Sequence, residues 1–263
     1  MAKALSRWQG NVGCLAAFVW CFIGTTWLRA QEEIETDRDS FTRSPRVVER
    51  GWTVMEGSYT ILTNSGGPNG YIYPDFLARV GANDWLELRI GWNYEDGKSL
   101  TGPAVEEGEE EGIINYGAKL LLTKASGWLP DSSLILTGYS PTSGPSNDTD
   151  FSLEYAVGWK AERGYEFDMG LRWIALAEEE DHFQEWAPSA VFKMPVFSDR
   201  LNAHVEYFSL NSVQREDDYG RAYAGPGIHY LLTRNMEIGT RVFWGMNRDA
   251  ADFIANAGLG IRF

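Results

Sequence analysis

Three groups of side chains in this sequence have types and spacings that could do chemistry. The first is an acid/base set: His204 stands two residues before Glu206, and His229 falls on the following stretch, so imidazole and carboxylate could share one face and move protons. A hydrolytic site would also need a nucleophile there, and no serine is placed beside them, so no catalytic residue is expected. The second is a carboxylate run, Glu106, Glu107, Glu109, Glu110 and Glu111, with a smaller group at Glu178, Glu179, Glu180 and Asp181. These lack the ordered ligand spacing and turn glycine of a calcium loop and read as solvated loops, so no metal is expected. The glycine-rich stretch 65–70 carries no phosphate-cradle pattern, and no cofactor is expected. The third group is the largest: Glu56, Asp75, Arg79, Glu87, Arg89, Lys119, Glu154, Lys160, Glu166, Asp168, Arg172, Lys193, His204, Glu206, Arg221, His229, Glu237 and Arg241.

What unites the third group is the period at which it recurs. In 85–94, Leu86, Leu88, Ile90, Trp92 and Tyr94 alternate with Glu87, Arg89, Gly91 and Asn93. In 151–160, Phe151, Leu153, Tyr155, Val157 and Trp159 alternate with Ser152, Glu154, Ala156, Gly158 and Lys160. Strict alternation is the mark of a strand with one apolar face. Comparable stretches lie at 52–63, 71–80, 113–123, 133–140, 165–175, 185–194, 201–210, 221–232, 236–246 and 251–263. The last places Phe253, Ala255, Ala257, Leu259, Ile261 and Phe263 on one face, and Ile254 is the exception on the other. That makes about twelve strands, joined by connections that alternate between short turns and longer, more acidic loops.

A soluble β-domain would show the same alternation with its apolar face inward. Strand number argues otherwise, because eight strands make a barrel just filled by its own side chains, and twelve around an apolar interior would leave voids. The aromatics agree: Trp92, Tyr94, Tyr116, Tyr139, Trp173, Trp186 and Trp244 fall at strand ends beside the long loops, and Trp159, Tyr165 and Phe263 at the opposite ends. Membrane interfaces collect such rings, whereas a sandwich core would hold them mid-strand. The expected fold is therefore all-β, a transmembrane antiparallel up-and-down barrel with apolar side chains facing lipid. The third group of residues then lines the lumen. Two readings of it stay open: a lattice of cross-strand ion pairs that stiffens the wall, or pore charges that orient a solute. Pro74, Pro188 and Pro226 interrupt strands of a barrel without edges, and a bulge is expected at each.

The segment 1–30 has Lys3 and Arg7 before an apolar run at 12–23 and reads as a signal peptide, too short for a comfortable span. Both cysteines, Cys14 and Cys21, lie in it, so the remainder has no thiol to bind metal or act as nucleophile. Removing it, with Lys3, Arg7 and Arg29, takes the formal net charge from −14 to −17, which argues against nucleic acid as a partner. Residues 31–50 are polar and aperiodic and read as an exposed leader before a barrel at 51–263.

Two resemblances sharpen the expectation. The closing strand, ending on Phe263, resembles the C-terminal signal strand of Gram-negative outer-membrane barrels, whose last Phe is read by the barrel assembly machinery. The leader segment Thr36-Asp37-Arg38-Asp39-Ser40-Phe41-Thr42, followed by 47–51 and then Glu56, resembles the opening of the family known as the MetA pathway of phenol degradation, or transporter-like, family. That resemblance implies an outer-membrane barrel that admits small compounds, aromatic ones among them. The expected function is passive uptake of small solutes, in contact with outer-membrane lipid and lipopolysaccharide. An outer-membrane enzyme of lipase or esterase type, or a structural barrel with a plugged lumen, are the alternatives.

Overall fold

Each of the twelve alternating stretches forms one strand, with ends that differ from the expected ones by a few residues. The strands are β1 Thr53–Thr63, β2 Gly70–Asn83, β3 Leu86–Gly97, β4 Glu110–Thr123, β5 Asp131–Ser143, β6 Asp150–Lys160, β7 Glu166–Glu178, β8 Asp181–Val196, β9 Ser198–Val213, β10 Gly220–Thr233, β11 Met236–Gly245 and β12 Phe253–Arg262. Every strand pairs antiparallel with its neighbours in sequence, and β12 returns to pair with β1, so the sheet closes into a barrel. The structure is a computed structural model that describes residues 33–263 apart from 39, 66–68, 98–109, 145–146, 179–180 and 216–217. The signal-peptide segment 1–30 and the carboxylates Glu106, Glu107, Glu109, Glu179 and Glu180 lie outside the described residues.

The apolar face points outward. Leu88, Ile90 and Val205 are 50–53% exposed, while Glu87 and Lys119 on the other face are fully buried. Exposed leucine and isoleucine beside buried glutamate and lysine is the reverse of a soluble core, and it fits a wall bathed in hydrocarbon. Trp92, Tyr116, Trp186 and Trp244 are exposed toward the loop end, and Trp159, Tyr165 and Phe263 toward the turn end. Tyr139 departs from this belt. It shares the inward face of β5 with Ile135 and Thr137, and its hydroxyl lies 3.4 Å from Ser152 Oγ on the inward face of β6.

The prolines are accommodated in two ways. Around Pro74 the register shifts in both flanking ladders, so a bulge is present and the phase of β2 changes across it. Ile72, which unbroken alternation through 71–80 would put on one face with Phe76, is therefore buried inside while Phe76 faces out. Pro188 and Pro226 need no bulge. Pairing lapses between Trp186↔Asn211 and Ser189↔Phe208, and between Ala224↔Trp244 and Gly227↔Arg241, then resumes in the same register. Beside Pro188 the Asn211 side-chain amide donates to the Trp186 carbonyl at 3.2 Å.

The largest correction concerns the leader, which is not exposed. Ile34, Thr36, Asp37, Ser40, Phe41, Thr42, Ser44 and Val48 are all buried, inside the barrel. The segment enters at the short-turn end, where the Ile34 amide donates to the Arg234 carbonyl at 3.0 Å, and returns there, where Gly51 N–H donates to the Gly81 carbonyl at 3.0 Å. That end is the periplasmic one in barrels of this type. The physical reason is width: twelve strands enclose more space than their inward side chains fill, and the leader fills it. Gly260 and Gly81 allow the close approach, since a Cβ at the first would strike Thr36 and at the second the backbone of Val48 and Glu49.

Closure of the wall runs through the last residue, whose amide and carbonyl bond the Thr53 carbonyl and amide at 3.0 and 2.9 Å. Deleting Phe263 is expected to lower the amount of heat-modifiable, membrane-inserted barrel several-fold while leaving synthesis unchanged, read by gel mobility of membrane fractions with and without boiling. Normal levels of inserted barrel would refute the role of this seam.

Candidate functional site

The site is the contact between leader and wall, and Asp37 is its centre. Its carboxylate lies 2.6 Å from Arg89 Nη1, 3.2 Å from Lys119 Nζ and 3.7 Å from Arg79 Nη1, cations delivered by β3, β4 and β2. Each comes from an inward position of its strand, which is what the alternation supplies. Glu56 and Glu87 complete the node: Arg79 Nε donates to Glu56 at 2.6 Å, and Arg89 Nη1 to Glu87 at 2.7 Å. Burial alone would raise the Asp37 carboxyl, and the combined pull of Lys119, Arg79 and Arg89 overrides it and holds the group well below the usual aspartate range.

An aperiodic chain inside a barrel must find partners for its backbone, because no ladder supplies them. Wall carboxylates do so here. Glu56 accepts from the amides of Asp37 and Arg38, both at 2.8 Å, Glu206 from those of Phe41 and Thr42 at 3.0 and 2.6 Å, and Glu87 from that of Val48 at 2.9 Å. Glu237 accepts from the Thr36 hydroxyl at 2.7 Å. Leader carbonyls are met by cations: Lys119 Nζ donates to Ser44 and Arg46 at 2.9 and 3.2 Å, and Arg79 donates to Glu35.

The far wall binds the returning limb of the leader. Arg43 lies 3.4 Å from Glu154, which also pairs with Arg172 at 2.9 Å. Arg46 Nη2 reaches Glu35 and Glu166 at 2.8 Å and Asp168 at 3.3 Å. Those three carboxylates are near enough to one another to share a cation, and the Arg46 guanidinium is that cation. On the limb between, Arg38 meets Asp75 at 2.6 Å.

At the tip of the leader the chemistry changes from charge to ring. Phe41 stacks on Phe208 with centroids 4.0 Å apart and planes 10° from parallel, and Arg172 lies over its other side at 4.7 Å. Phe208 in turn packs on Tyr223 and Phe243, and Leu62, Ile72, Leu210 and Ile254 join them. The connection between β11 and β12 folds into the same cluster through Ala250 and Ala251, and the Ala251 amide donates to the Tyr223 hydroxyl at 3.0 Å. A narrow, partly open crevice of about 10 Å³ remains beside the leader, between Thr36 and Arg38 on one side and Glu237, Gly239, Asn256, Gly258 and Gly260 on the other.

The structure thus brings together most of the residues expected to line the lumen. Lys160 stands at the rim, its side chain 56% exposed, and pairs with Glu166 at 2.6 Å. Arg221 is buried, over the Tyr219 ring at 4.0 Å. Lys193 is buried on β8, and Arg241 Nη1 lies 3.9 Å from Glu206. His204 Nδ1 faces His229 Nε2 at 3.4 Å. Missed by the sequence reading were the leader residues themselves, the buried Glu185, which accepts from the Tyr219 hydroxyl at 2.6 Å, and the apolar luminal cluster. Ile254 was its one visible signal, the apolar residue on the polar face of β12.

The family described as "Putative MetA-pathway of phenol degradation" matches residues 36–263. The chain belongs to this family. Its match begins at Thr36 and so takes in the leader from that residue onward. Comparison with curated proteins returns no match. Among solved structures, an outer-membrane channel from Pseudomonas putida F1 is similar with a TM-score of 0.57 at 10% identity, covering 87% of this chain and 100% of its own. The translocator domain of the autotransporter NalP from Neisseria meningitidis is similar at 0.51 and 11% identity, covering 81% and 87%. The porin NanC is similar at 0.50 and 9% identity, covering 80% and 98%. At these identities the likeness is one of fold, that of the outer-membrane β-barrel.

Two tests address leader docking. Asp37→Asn leaves three buried cations short of an anion, and removing one partner of a buried charge set costs about 3–5 kcal/mol; amide exchange across 34–48 is expected to speed up markedly in the variant while the strands stay protected. Unchanged exchange would show that the node does not hold the leader. The second test is pH. A carboxylate whose folded value is depressed contributes its full stabilisation above its unfolded value, about 3.9, and loses it as pH falls toward the folded one. The Asp37 share of leader protection, read as the difference in amide exchange between the wild-type chain and Asp37→Asn, is therefore expected to be constant from pH 7 to 5 and to shrink only below about pH 4, and a difference that vanishes near neutrality would contradict this assignment.

Proposed function

We propose that the protein is an outer-membrane channel for passive uptake of small solutes, hydrophobic or aromatic compounds among them, and that its own leader is the gate. The observation that carries this reading is that the leader contributes no strand to the wall. The twelve strands close through one another alone, so withdrawing the leader removes side-chain contacts and leaves the main-chain ladders complete. Barrel and plug are then separable, as a gate requires. The node at Asp37 gives the closed state its specificity, and the apolar cluster around Phe208, Tyr223 and Phe243 gives an opened lumen a surface on which an uncharged ring can rest. Balanced wall charge leaves little net field to favour one sign of ion. Outer-membrane lipid and lipopolysaccharide, the barrel assembly machinery reading Phe263, and a small solute are the partners this reading implies.

A permanently plugged structural barrel is the second reading, favoured by how completely Asp37 and Phe41 are buried. Planar-bilayer recording separates the two. The wild-type chain is expected to be closed for most of the record, with rare openings, and the double variant Asp37→Asn/Phe41→Ala to be open at least tenfold more of the time at the same unit conductance. Silence of both proteins, with heat-modifiable mobility showing that both are folded, would establish the structural barrel.

A further inference from the structure

The closed barrel already holds a ligand of its own, the ring and amide of Phe41. Glu206 and Phe208 stand two residues apart on β9 and so share its inward face, while Val205 and Tyr207 are turned out. Phe208 takes the Phe41 ring face to face at 4.0 Å, and the Arg172 guanidinium covers that ring from β7 at 4.7 Å from its centroid. Glu206 accepts from the Phe41 amide at 3.0 Å. All three wall residues are buried, and none of them leaves with the leader.

What they hold has a definite chemical outline. The gap between Phe208 and Arg172 is one flat ring thick, so it fits an aromatic ring and not a saturated one. Along Phe41 the bonded nitrogen is two carbons from the ring, and it meets Glu206 as a donor. The Thr42 amide turns to the same carboxylate at 2.6 Å, so the position beyond that nitrogen also presents N–H to Glu206. Arg241 stands 3.9 Å from the carboxylate, beyond hydrogen-bond reach. Withdrawing the leader therefore takes two donors from a buried anion, which is costly unless they are replaced. A protonated amine two carbons from a flat ring replaces them and adds the countercharge, and such charge-assisted bonds are roughly twice as strong as those of an amide. A carboxylate in the same place would meet Glu206 as a like charge.

We propose that Phe41 is the placeholder for an arylethylammonium solute, whose ring enters between Phe208 and Arg172 and whose ammonium group binds Glu206. The assignment rests on the gate reading, since leader and solute cannot fill this slot together, and it gives the aromatic solute a charge. It is tested by calorimetric titration of the purified full-length double variant Asp37→Asn/Phe41→Ala in an uncharged detergent. Three probes share a phenyl ring and a two-carbon spacer: phenethylammonium, phenylalanine and hydrocinnamate. Phenethylammonium is expected to bind one to one and at least about tenfold more tightly than the two carboxylates, the size of one hydrogen bond to a charged group. The wild-type chain, in which Phe41 competes, is expected to bind it at least about tenfold more weakly than the double variant does. Adding Glu206→Gln is expected to abolish the preference for the amine even though it also loosens the leader, and adding Phe208→Ala to weaken all three probes. Heat-modifiable mobility verifies that each variant is folded. Equal affinity for phenethylammonium and hydrocinnamate, or a preference that survives Glu206→Gln, overturns the proposal. No binding by a double variant that opens in planar bilayers overturns it and leaves the gate standing, whereas no binding by one that stays silent overturns both.

Discussion

The buried carboxylate of Asp37 is the interaction on which the interior depends. Three cations from three adjacent strands converge on it, and two wall carboxylates bind those cations from behind. Without an anion at this point the near wall would present Arg79, Arg89 and Lys119 to one another at close range in a poorly hydrated space. A buried charge network of this kind adds little net stability compared with apolar packing, but it penalises every arrangement in which a member goes unpaired. It therefore fixes which residue of the leader sits where, and the register of the whole segment follows from it.

The tip of the leader is held by a different force. Phe41 stacked on Phe208 removes two rings from water and places one of them against a guanidinium. The two anchors divide the work: the charged node is geometrically demanding, and the aromatic contact contributes area. Between them the backbone is satisfied by side-chain carboxylates in place of a ladder. Glu56, Glu87 and Glu206 thus serve twice, pairing with wall cations and accepting from leader amides.

Almost the whole wall was legible in the sequence, because a strand that separates lipid from lumen must alternate and must carry its rings at the two interfaces. The lumenal identity of Glu56, Arg79, Glu87, Lys119, Glu154 and Glu206 came from that alternation alone. What they bind did not. The wall charges were read as a cross-strand lattice or a pore lining; cross-strand pairs such as Arg79–Glu56 and Arg172–Glu154 are present, and the same wall also pairs with Asp37, Arg43 and Arg46, which lie in a stretch without periodicity. An extended segment that satisfies its amides through side chains has no pattern to show. Its polar composition looks the same whether water or a wall of opposite charge surrounds it. The void argument was the missed clue, since a lumen too wide to fill itself calls for a filler. Ile72 was placed on the wrong face for a local reason, the change of phase at Pro74, and Tyr139 because its strand end could be assigned to either side of the wall.

Both limbs of the leader meet the wall's rim at the same end, near Arg234 and near Gly81. The segment is thus a bight of rope pushed into a tube, with both of its described limbs at one rim. Such a bight can enter after the last seam has closed, without any knot being tied, and it can be drawn out from that one rim alone. Pulled that way, the chain peels in a fixed order, with the contacts of Ile34 and Thr36 parting before the node at Asp37 and the stacked ring of Phe41 after it. The order in which the interior empties is therefore written in the order of residues along the chain.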